Sequence, residues 1–165
     1  MSAAKIFKTV ILSFILLLST TQLLTAQDYN NAIGLRLGTY VGASFTTYTS
    51  EHNSIEVIAG ITRQANQSDY IFGGYYKFHF AISSDIPTLN WFTSLGLLLF
   101  LEEEVGKNKI NIAPSALIGL EYTLEHTPVN FFIDVSPYYN LTSDMDSKFS
   151  IHANLGVRYL LSQNE

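Results

Sequence analysis

The sequence predicts an all-β protein: a closed, antiparallel, up-and-down transmembrane β-barrel of about eight strands, preceded by a signal peptide. Three observations predict it. From residue 32 onward, apolar and polar residues alternate with period two, the repeat of strands whose two faces meet different surroundings. The polar face is built mainly from Gly, Ser, Thr, Asn and Tyr, and only 14% of residues are charged, against about 25% in an ordinary soluble domain. Aromatics reach 13% and gather toward strand ends on the apolar face, where the girdles of a membrane barrel belong.

The first element is an address. Lys5 and Lys8 precede an apolar run from Val10 to Leu18, and Ala26 offers a small residue for cleavage. The run is short of the roughly 20 residues that a spanning helix needs, so residues 1–26 read as a cleaved secretory signal peptide and 27–165 as the barrel. Cleavage removes two lysines and no acid, taking the net charge from -5 to -7.

The strands follow in order. Ala32 to Gly38 sets Ile33, Leu35 and Leu37 against Gly34 and Arg36. Gly42 to Thr49 is the weakest, with Ala43 and Phe45 as its apolar side. Ile55 to Thr62 opposes Ile55, Val57 and Ile61 to Glu56 and Gly60. Tyr70 to Ile82 opposes Phe72, Tyr76, Phe78 and Phe80 to Gly73, Tyr75, Lys77 and His79. Leu89 to Leu101 opposes Leu89, Trp91, Leu95, Leu97 and Leu99 to a mixed face that holds Ser94 but also Phe92, Leu98 and Phe100. Asn111 to Leu124, Val129 to Leu141 and Phe149 to Leu161 repeat the pattern and carry Glu121, Asp134 and Arg158 on their polar faces. The stretches Arg63 to Asp69, Glu102 to Lys109 and Thr142 to Lys148 read as longer polar loops; Ser50 to Ser54, Ser83 to Thr88 and Glu125 to Pro128 read as turns.

Alternation alone fits two barrels. A soluble, lipocalin-like binder buries the apolar face, whereas an outer-membrane barrel turns it to lipid. The apolar face carries no charge in the middle of any strand, and a charge at the bilayer midplane costs about 2–4 kcal/mol. The girdle positions are Tyr70, Phe80, Trp91, Tyr122, Tyr139, Phe149 and Tyr159. The edges of a sheet in lipid are unsatisfied, so the sheet must close.

The inward charges are then Arg36, Lys77 and Arg158 against Glu56, Glu121 and Asp134, which sum to zero. With both termini periplasmic, all six fall near the periplasmic ends of their strands. Eight strands leave a bore just wide enough for side chains to fill. The expectation is a compensated ionic plug, with His79 and His152 at its margin. Glu121 and Asp134 are expected to face each other across one hairpin, with Arg158 and Lys77 as the cations between them. A gated proton or ion path is the functional alternative. Pro114 and Pro137 cannot donate to a ladder, so a bulge or a locally broken ladder is expected on the sixth and seventh strands.

Other chemistries find little support. Without Cys there is no disulfide framework, no thiolate metal site and no lipid-modified Cys. The acidic balance disfavours nucleic acid. No HExxH or paired-His spacing points to a metal, and no cofactor motif is present. Ser150 and His152 share a face, but a hydrolase needs a third group and an oxyanion site. Glu102 to Glu104 with Lys107 and Lys109 form a charged outer run that suits divalent cations or lipopolysaccharide phosphates, or plain solvation.

The segments AIGLRLG (32–38), GASFTTYTSEHNSIEVIAGI (42–61), GLEYTL (119–124), PVNFFIDVSPYYNL (128–141) and NLGVRYLL (154–161) together resemble small outer-membrane β-barrel proteins of Gram-negative bacteria. They are most similar to eight-stranded barrels such as OmpX, OmpW and the OmpA membrane domain. Such barrels usually end on an aromatic residue, whereas here Tyr159 is followed by LLSQNE. The resemblance implies insertion by the barrel assembly machinery, contact with outer-membrane lipids and lipopolysaccharide, and a monomer. It implies a structural, adhesive or surface-interaction role. A lipid-A- or phospholipid-modifying barrel enzyme, a soluble lipocalin-like binder and a narrow solute channel are the alternatives.

Overall fold

The structure, a computed structural model, describes residues 31–64, 67–83, 86–104, 107–141 and 148–161. The expected signal peptide, 1–26, lies outside the described residues. Eight strands follow in chain order: β1 (Asn31–Gly38), β2 (Val41–Ser50), β3 (Asn53–Gln64), β4 (Gln67–Ser83), β5 (Ile86–Glu104), β6 (Lys107–Thr123), β7 (Val129–Tyr139) and β8 (Phe149–Leu160). Each pairs antiparallel with the next, and β8 closes on β1 through Ala32↔Leu160 to Gly38↔Asn154. Asn31, Leu160, the connections 51–52 and 124–128, and the joined ends of β4 and β5 share one end, here the termini end. The joined ends of β1 and β2, β3 and β4, β5 and β6, and β7 and β8 form the far end.

The barrel is inside out relative to a soluble protein. Leu35 is 62% exposed on its outer face while its neighbour Arg36 is 0% exposed in the bore. Period two makes this possible, because each step along a strand changes face. Large apolar side chains stay exposed on every strand, from Ile33 on β1 to Tyr159 on β8.

The strands are unequal, which corrects two expected loops. Arg63 to Asp69 and Glu102 to Lys109 are ladder: β3 and β4 pair out to Gln64↔Gln67, and β5 and β6 out to Glu104↔Lys107. The register sets Glu102 opposite Lys109 and Glu104 opposite Lys107. Polarity had suggested loop where it marks strand. As a result β5 has 19 residues while β1 has 8. Thr142 to Lys148 lies mostly outside the described residues.

The bore has two layers. Near the termini end it is charged. Toward the far end it is apolar, a cluster that includes Ile58, Ile71, Tyr75, Leu98, Phe100 and Leu117. Alternation hid much of this layer, because Ile71, Leu98 and Leu117 are flanked by apolar outward-facing neighbours and blur the period.

Glycine sets how closely groups pack across the bore. Gly156 on β8 stands between Arg36 on β1 and Phe132 on β7 in one cross-strand row. A Cβ there would meet the Leu35 carbonyl and the Phe132 ring. The row therefore needs a residue without a side chain for the Phe132 ring to lie across it. The ladder between β6 and β7 lapses between Ser115↔Tyr138 and Ile118↔Val135, without a register shift. This is the broken ladder expected from Pro114 and Pro137.

Candidate functional site

Six strands send charged side chains into the termini-end half of the bore. Arg36 comes from β1, Glu56 from β3, Lys77 from β4, Glu121 from β6, Asp134 from β7 and Arg158 from β8. Every one is buried. Glu56 is the hub. It accepts from Arg36 Nη1 at 3.0 Å, Lys77 Nζ at 3.1 Å and Arg158 Nη2 at 3.1 Å. Arg36 Nη2 also donates to Asp134. Arg158 Nη1 also donates to Glu121 Oε2 and to Asn130 Oδ1, both at 3.2 Å. Three cations and three carboxylates thus form one connected chain. Burial of charge is tolerable only with such pairing, since an isolated buried ion costs several kcal/mol.

The pairing differs from the expected one. Glu121 and Asp134 do not face each other: Glu121 pairs with Phe132, and Asp134 with Gly119. That offset of one inward position moves the two carboxylates apart. Arg36, not Arg158 or Lys77, takes Asp134. Lys77 takes Glu56 instead.

The network also has aromatic walls that the charge pattern did not disclose. The Arg158 guanidinium carbon lies 3.9 Å from the Phe132 ring centroid, and that of Arg36 lies 4.8 Å from it. Lys77 Nζ lies 3.8 Å from the Phe92 centroid. Cation–π contact of this kind gains about 2 kcal/mol when desolvated. The signal available was Phe at two inward positions, Phe92 and Phe132, beside the predicted charges.

The two histidines part company. His79 joins the network, with Nδ1 2.7 Å from Glu121 Oε1 and Nε2 2.8 Å from Ser54 Oγ. His79 and Glu121 also line a cavity of about 350 Å³ at the termini-end mouth, together with Tyr48, His52, Asn90 and Thr123. His152 lies on the other side, packed against Tyr138, Tyr40 and Phe100. Its buried Nδ1 has no hydrogen-bond partner among the described residues. Among the described residues no group of three or more His, Asp or Glu side chains is placed to hold a metal ion.

The seven girdle residues all point outward. Phe80, Trp91, Tyr122 and Tyr159 ring the termini end, with Phe80 and Trp91 stacked at 4.4 Å. Tyr70, Tyr139 and Phe149 lie toward the far end, Tyr139 and Phe149 directly paired.

No protein-family model matches the chain, and no curated protein matches it by sequence. Solved structures do match by shape. The N-terminal β-barrel domain of Pseudomonas aeruginosa OprF superposes with a TM-score of 0.66 at 14% identity, over 82% of this chain and 98% of that one. This chain has the fold of a small outer-membrane β-barrel. Neisserial surface protein A shares that fold, with a TM-score of 0.52 at 14% identity over 79% of this chain and 93% of the other. Both likenesses span nearly the whole barrel of the matched protein. At that identity they speak for the fold alone, and the ionic network belongs to this chain's own residues.

Proposed function

We propose that this protein is a monomeric outer-membrane barrel of a Gram-negative envelope, with a structural, adhesive or surface-interaction role and a plugged bore. The observation that carries the reading is the inversion of the barrel: charge inside, an apolar belt with aromatic rims outside. Water around that belt would face 22 exposed Leu, Ile and Phe side chains among the described residues, far more contiguous apolar surface than soluble monomers carry. A bilayer removes the cost, and the closed ladder satisfies the backbone. The even strand number puts both termini on one side, read as periplasmic. Lipid and lipopolysaccharide then surround the belt, and the barrel assembly machinery inserts it. A non-enzymatic role fits a site in which each buried carboxylate is bound by a cation and Ser54, the hydroxyl that meets His79, is fully buried.

The test uses the absence of native Cys. Single Leu155→Cys and Leu97→Cys variants on the apolar belt should resist a water-soluble maleimide in intact envelopes and react after detergent extraction and unfolding. Prompt labelling in envelopes would contradict membrane placement. In planar bilayers the plugged bore predicts no steady conductance, and regular open-channel steps would favour the channel reading.

A further inference from the structure

The cavity at the termini-end mouth is a blind seat. Its floor is the His79–Glu121 pair. Beyond that floor Arg158, Glu56 and Lys77 are fully buried and held in one chain of ion pairs, which closes the bore. At about 350 Å³ the cavity falls within the size range of small-molecule sites.

The lining has a sign. Its carboxylates are Glu51 and Glu121, and neither Lys nor Arg lines it. Glu51 stands at the rim, in the exposed turn after β2, with no ion-pair partner among the described residues. Glu121 stands at the floor and is only 4% exposed. It accepts one bond at each oxygen, from His79 at Oε1 and from Arg158 at Oε2. An ionised carboxylate has about four acceptor sites, so a deeply buried acid is left with acceptor capacity beside an open cavity.

The walls between the two acids narrow the chemistry further. Ala81 and Leu160 supply an apolar side, and Tyr48 supplies an aromatic one, its ring centroid 5.4 Å from that of His79. Both ring nitrogens of His79 are engaged, by Glu121 and Ser54, so it offers a ring and not a free nitrogen. Among the described residues no three His, Asp or Glu side chains are placed to hold a metal ion. The fit is to an organic cation. Ammonium groups pair with carboxylates through charge-assisted hydrogen bonds. An aliphatic stem suits the apolar wall, and a cation suits the face of a Tyr ring.

We infer that the termini-end mouth is a binding site for a small linear diammonium, with one ammonium on Glu121 at the floor and the other on Glu51 at the rim. The site belongs to the folded barrel. The membrane placement proposed above decides only that the solute comes from the periplasmic side.

The probe is 1,4-diaminobutane, titrated calorimetrically at low salt into the full chain folded in detergent micelles. Folding of each variant is checked by its heat-dependent gel mobility. The wild type should bind one molecule saturably. n-Butylamine, which has a single ammonium on the same stem, should bind several-fold more weakly, and 1,4-butanediol should not bind. Glu51→Gln should lower the affinity for the diamine to that for the monoamine. Glu125→Gln removes a charge from an exposed turn outside the lining and should change nothing. Ala81→Trp fills the cavity without altering charge and should abolish binding. Equal losses in Glu51→Gln and Glu125→Gln would reduce the effect to a general attraction of cations to an acidic surface and overturn the site. Diamine binding that survives Ala81→Trp, equal affinity for diamine and monoamine, or no saturable binding to the wild type would overturn it as well.

Discussion

Glu56 holds three cations, so its loss reaches across the whole bore. Glu56→Gln leaves Arg36, Lys77 and Arg158 facing a neutral amide, and breaking a buried pair in this way costs about 3–5 kcal/mol. Asp134→Asn should cost less, because Arg36 keeps Glu56. Urea titrations of the refolded barrel should rank the two variants in that order, and equal midpoints would remove Glu56 from the hub. Phe132→Leu keeps an apolar side chain but removes the ring under two guanidiniums; it should lower stability by about 2 kcal/mol. The six charges were legible in the sequence because a charge in an otherwise uncharged alternating strand stands out. Their partners were not. Which carboxylate meets which cation depends on strand stagger, which is not written in the alternation.

At the scale of the element, the ends of strands decide the most. β1 stops at Gly38, and Thr39 then ties the turn to β8: its hydroxyl donates to Ala153 O at 3.2 Å and accepts from Ala153 N at 3.0 Å. Thr39→Val should cost about 1–2 kcal/mol. A variant as stable as the wild type in the same titration would show that the turn is held by other contacts. All eight strands and their order were legible from period two and turn residues. The far-end extensions of β3 to β6 were not, because polar residues at the end of a strand look like loop. The lapse on the β6–β7 seam was half legible: two prolines marked the seam, and the register places the lapse between Ser115↔Tyr138 and Ile118↔Val135.

The whole molecule is a cylinder whose surface and interior exchange the usual roles. Its charged centre is sealed from solvent, so screening reaches it weakly. Raising salt to about 1 M should leave the unfolding midpoint nearly unchanged, whereas a stability set by surface ion pairs would fall. The inversion itself is the central claim, and one experiment tests it most directly. Cells expressing the full chain are fractionated, and the outer-membrane fraction is run on a denaturing gel with and without boiling. The closed barrel predicts recovery in that fraction and a shift in mobility on heating, as the ladder resists detergent until it melts. A soluble periplasmic product with one unchanged mobility would contradict the account and make the exposed apolar belt the surface still to be explained.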